Sequence, residues 1–97
     1  MRNAIISEIP KFKVDDRGII RDCGKVRLIS RKKWSISANH EHEAVEVLFL
    51  VSGEIELEVG GEKEILSGYK RIEIPGNVHH TVRALTDIVL LEDRELS

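Results

Sequence analysis

The chain of 97 residues has one cysteine, two prolines and four aromatic residues, and no apolar run approaches the roughly 20 residues that cross a bilayer. Each shortage excludes something. Cys23 is alone, so it closes no internal disulfide and has no partner for a zinc ribbon or a CxxC redox pair. It reads as a small apolar filler in a protein of a reducing compartment. Four aromatics are too few to build base-stacking platforms, and no nucleic acid or membrane partner is expected. The opening MRNAIISEIPKFKVDD is interrupted by Ser7, Glu8 and Pro10 before an apolar h-region forms, so it does not read as a signal peptide and a cytoplasmic protein is expected. Repeats, low-complexity tracts and helical periodicity of useful length are all missing. A chain this short has room for one hydrophobic core, hence one domain over 1–97.

What is present is charge, unevenly laid down. Residues 1–34 hold ten Lys and Arg against four Asp and Glu, and 35–97 hold five against thirteen, so the halves carry +6 and −8. Mutual neutralisation within one fold is the expectation. The tightest basic cluster, Arg31, Lys32 and Lys33, reads as a solvated turn, with contact to an anionic ligand or partner as the alternative.

Glycine and proline fall as punctuation between short apolar runs, which is a β pattern. AIISEI reads as a first strand, and VDDRGII as a hairpin around Asp-Arg-Gly. VRLIS and WSISANHEH read as extended. In the second, Trp34, Ile36, Ala38, His40 and His42 have the same parity and would share the core face, with Trp34 itself in the core. VEVLFLV is continuously apolar, as in a strand covered on both faces. Its Val47, Phe49 and Val51 form a second apolar face, from which a homodimer is expected. In EIELEV, Ile55, Leu57 and Val59 alternate with three glutamates, and Gly60-Gly61 turns the chain into EKEIL. YKRIEI, HTVRAL and DIVLLED complete about nine short strands. The class is all-β, a barrel or sandwich.

All four histidines sit in two pairs, His40/His42 and His79/His80. Two residues apart on a strand, His40 and His42 leave one face about 7 Å apart at the backbone, a spacing from which both rings can reach one ion. Glu46 lies roughly 13 Å further along a straight strand, too far for bonds of about 2 Å, so the chain must bend at Glu43-Ala44-Val45 for its carboxylate to join them. Leu48 and Leu50 share the parity of Glu46 and aim it inward. One place is then left for a histidine of the second pair.

These residues carry a resemblance. HEHEAVEVLFLVSG is HxHxxxE with Gly53 six residues beyond its Val47, and it resembles the first motif of the cupins; SGYKRIEIPGNVHHTVRAL, with Gly68, Pro75, Gly76 and a closing histidine, is similar to the second. The likeness spans residues 34–85. It implies a small double-stranded β-helix, or jelly-roll barrel, usually dimeric, with metal-binding motifs at 40–53 and 68–84 and a divalent metal held by His40, His42, Glu46 and one of His79 or His80. Counting from Gly68 selects His79, and aligning forward from Ile74-Pro75 selects His80. Parity favours His80, since an inward His79 would take Thr81 and Arg83 inside with it. The glycine that usually opens the first motif is replaced near Trp34, and the asparagine near the end of the second is missing.

Such a site suits Fe, Mn, Ni, Zn or Cu. The expected function is that of a metal-dependent isomerase, epimerase or dioxygenase acting on a sugar-like or other oxygen-rich small molecule, with His79 and Tyr69 as candidate catalytic groups. Glu73, out of phase with Ile72 and Ile74, reads as solvated. The alternative is a sensor or carbohydrate-binding module that binds metal or ligand without turnover. A barrel without visible insertions, offering few acids and bases, is compatible with that alternative.

Overall fold

The computed structural model describes residues 3–41 and 43–94, with the side chains of 38–40 outside the description. Ten strands form two antiparallel sheets: β1 (Lys11–Asp15), β2 (Gly18–Asp22), β3 (Val26–Arg31), β4 (Ile36–His40), β5 (Glu46–Ser52), β6 (Glu54–Val59), β7 (Glu62–Ser67), β8 (Lys70–Ile74), β9 (His80–Ala84) and β10 (Ile88–Asp93). One sheet runs β1-β2-β3-β10-β5-β8 and the other β4-β9-β6-β7. No helix among the described residues is long and apolar enough to cross a membrane.

Period-two patterning decides which side chains meet between the sheets. Ile29, Leu48, Leu50, Ile72, Ile88 and Leu90 face inward from the larger sheet, and Ile55, Leu57, Val82 and Ala84 meet them from the smaller one. The glutamates of β6 stay on its other face, as the alternation of EIELEV requires. β5 is interior to its sheet, between β10 and β8. Its second apolar face is only partly open, with Val47 buried and Phe49 and Val51 half-buried.

The Asp-Arg-Gly hairpin forms between β1 and β2, where Asp15 pairs with Gly18. Its turn is fastened by Arg17, which bonds the Asp15 carboxylate through its backbone N–H at 2.9 Å and through its guanidinium at 2.8 and 3.3 Å. These bonds, the side-chain ones foremost, hold the Asp15 carboxyl at about 2, below its ordinary 3.8. Because the folded value lies below the unfolded one, the stabilisation is complete above pH ~4 and disappears as pH falls through about 2. Urea midpoints measured from pH 5 to 2 should therefore fall for the wild type and lose that part of the slope in Asp15→Asn.

Several sequence expectations fail for lack of a neighbour or of the right parity. AIISEI is not a strand. The ladder ends where Asp22 N–H meets the Pro10 carbonyl, and Ile5, 99% exposed, lies upstream of any pairing strand among the described residues. A segment without a partner has no ladder to join, however apolar it is. Trp34 is not in the core: it is 59% exposed, has φ 73° in the turn before β4 and lies against the Lys33 and Arg83 side chains. Ile36 is likewise exposed, because β4 carries a bulge. Ser37 pairs with Val82 and His40 with His80, so three residues of β4 span two of β9 and parity changes between them. Cys23 is exposed in the turn between β2 and β3, not an apolar filler. Arg31 belongs to no solvated turn: it ends β3 on the inner face of Ile29 and is buried, leaving only Lys32 and Lys33 in the open.

Candidate functional site

Two turns bring the site together. The bend at Glu43-Ala44 carries the chain from β4 in one sheet to β5 in the other, as the Glu46 argument required, and Pro75-Gly76 carries it from β8 back to β9. The turns touch: a Cβ on Gly76 would fall on the Glu43 carbonyl oxygen, so only glycine allows this approach.

Glu46 thus opens β5 and His80 opens β9, one from each sheet, facing each other across the interior. Glu46 is 6% exposed and His80 1%, and Glu46 Oε2 lies 3.2 Å from His80 Nε2. Leu48 and Leu50 share the inward face of Glu46. Val82 and Ala84 share that of His80, while Thr81 is half-buried and Arg83 exposed, as parity requires. His79 is exposed, its carbonyl accepting the Gly60 N–H at 3.0 Å.

The His80 ring is oriented from behind. Nδ1 lies 3.2 Å from the Val78 carbonyl, which only accepts, so Nδ1 carries a proton. Nε2 then offers Glu46 either the second N–H of an imidazolium or a lone pair. In the lone-pair state two acceptors face each other and a cation between them reconciles both. An imidazole nitrogen fixed by a backbone carbonyl and a buried carboxylate oxygen are donors that suit a divalent first-row ion. The backbone register sets His40 opposite His80. The His40 side chain and all of His42 lie outside the described residues, among which no third His, Cys, Asp or Glu completes a metal-holding group.

Glu46 also lines a cavity of about 270 Å³, walled by Ile29, Leu48, Val82 and Leu90. Lys13, Arg17, Arg27, Arg31 and Glu92 supply its charges. Sequence reasoning did not turn these cations inward, although a signal existed: in VRLISR, Arg27 and Arg31 have the parity of Ile29 and so share its buried face. Tyr69 is 86% exposed in the turn between β7 and β8 and takes no part. Glu73 is solvated as expected, paired with Arg71 at 3.2 Å.

Three solved structures share this architecture. KdgF from Halomonas sp. aligns with a TM-score of 0.73 at 21% identity, over 86% of this chain and 82% of that one. The capsular polysaccharide assembling protein CapF from Staphylococcus aureus gives 0.68 at 24%, over 90% of this chain and 28% of its own. Salicylate 1,2-dioxygenase from Pseudaminobacter salicylatoxidans gives 0.65 at 16%, over 75% and 20%. At such identities the likeness establishes the fold. No curated protein sequence matches the chain. The cupin domain family matches residues 30–91, from the end of β3 into β10 and across both motifs and both turns of the site, and the chain belongs to that family.

Proposed function

We propose that this protein is a metal-binding cupin that acts on a small oxygen-rich molecule, as an isomerase, epimerase or dioxygenase. The observation that carries this reading is the buried Glu46–His80 pair, one residue from each sheet, with Glu46 on the cavity wall. Glu46 and His80, joined by His40 and His42 of the first motif, would hold the ion. A divalent ion there would polarise a carbonyl or hydroxyl oxygen of the ligand. The chain's own residues do the rest: the Val78 carbonyl keeps His80 Nε2 turned toward Glu46, and Ile29, Leu48 and Leu90 form the apolar wall of the adjoining space. CapF, named for polysaccharide assembly, supports a sugar-like ligand.

Elemental analysis of the purified protein tests the reading. Metal should be near-stoichiometric in the wild type and in His79→Ala, and lost in His40→Ala, Glu46→Gln and His80→Ala. Wild type that stays metal-free after supplementation overturns it. One observation favours the second reading, binding without turnover: neither His79 nor Tyr69 lines the cavity, where Glu46 and Glu92 are the only carboxylates among the described residues.

A further inference from the structure

The cavity beside Glu46 holds more positive charge than its own acids balance. Lys13, Arg17, Arg27 and Arg31 face it against Glu46 and Glu92. Arg17 is satisfied by Asp15 at 2.8 Å. Arg27 lies 3.8 Å from Glu92 and 3.9 Å above the centre of the Phe12 ring, and its Nε–H, like that of Arg31, has no hydrogen-bond partner among the described residues. Arg31 is the more deeply buried of the two. Its side chain is 6% exposed, and Nη1 is 3.8 Å from an Asp15 carboxylate already engaged by Arg17, beyond hydrogen-bond reach. Its Nε–H has no hydrogen-bond partner among the described residues. Burial first, and then the charge of Arg17, holds the guanidinium below its ordinary range, with Asp15 pulling the other way. A fold that keeps a buried cation so poorly paired carries a penalty that a bound anion would offset.

We propose that Arg31 recognises a carboxylate on the small molecule this cavity takes, its terminal Nη groups meeting the carboxylate while the rest of the ligand faces Glu46. This deepens the proposed function, on which it rests, by naming the ligand class as a hydroxylated carboxylic acid. The planar fork of a guanidinium matches the two oxygens of a carboxylate. Phosphate, which a guanidinium can also grip through two oxygens, is the competing anion, and the test separates the two.

The test uses the whole protein labelled with ¹⁵N, with the Arg31 Nε–H resonance assigned by its absence in Arg31→Gln. The probes are acetate, gluconate, the neutral analogue glucitol and inorganic phosphate. Acetate or gluconate should shift that resonance saturably, and glucitol and phosphate should leave it in place. Arg31→Gln should weaken gluconate at least about tenfold with metal content unchanged, and Arg31→Lys, which keeps the charge without the fork, should also weaken it. An unmoved resonance with both carboxylates, a shift with phosphate, or full gluconate affinity in Arg31→Gln overturns the proposal. If Arg31→Gln does not fold, Arg31→Lys and its spectrum serve both purposes. Wild type that carries metal but binds neither carboxylate refutes the Arg31 proposal alone. Wild type that never holds metal yet shows the carboxylate shift refutes the metal reading alone.

Discussion

Gly76→Ala is expected to lower stability by about 3 kcal/mol or more, seen as a fall in urea midpoint at constant slope. The new methyl would meet the Glu43 carbonyl oxygen and the Ala44 backbone, and backbone cannot swing aside as a side chain can. The damage should extend to the site. One of the two turns delivers Glu46 and the other delivers His80, so any shift that relieves the clash moves the carboxylate relative to the imidazole. Metal content should fall with stability in the same variant. A midpoint equivalent to within about 0.5 kcal/mol of the wild type would show that the turns separate freely and that their contact does not define the site.

The second large effect is an asymmetry within the pair, measured on chelator-treated protein. His80→Leu should cost about 3 kcal/mol, because it takes the imidazole from 3.2 Å beside a buried carboxylate and puts apolar atoms in its place. Glu46→Leu should cost less, since the imidazole keeps its bond to the Val78 carbonyl. The double variant should recover most of the loss and approach the wild type, with a coupling of about 1 kcal/mol or more, because two apolar residues fill the gap between sheets already lined by Leu48 and Val82. Equal and additive single costs would mean that the two groups do not act on each other across the barrel. A recovered fold without metal would show the pair to be kept for binding at the expense of stability.

Much of this protein is legible in its residues alone, and for a local reason. A strand's alternation is written in its own side chains, so EIELEV and HTVRAL each announce which face is buried, and the parity of Val82 and Ala84 places His80 inside and His79 outside. The Gly60-Gly61 turn is as readable, because a two-residue hairpin needs only its own backbone conformation. The motif spacing likewise anticipates the bend before Glu46.

What fails depends on partners far away in the chain. AIISEI has the composition of a strand, but no strand among the described residues lies beside it. Trp34 and Ile36 belong to the core by a parity that the β4 bulge breaks, and a bulge is a property of two paired strands, not of one. The charge pattern misleads in the same way. Arg31 stands in a run of three basic residues that looks solvated, and its place beside Ile29 on the inner face matters only once β10 and β2 flank β3. Alternation and turn chemistry within a few residues are enough for the all-β class, for the buried faces of β6 and β9 and for the inward His80. That Glu46 meets His80, that Gly76 closes on Glu43 and that Arg31 lines the cavity follow only from the assembled sheets, because each joins segments whose places are set by long-range strand pairing.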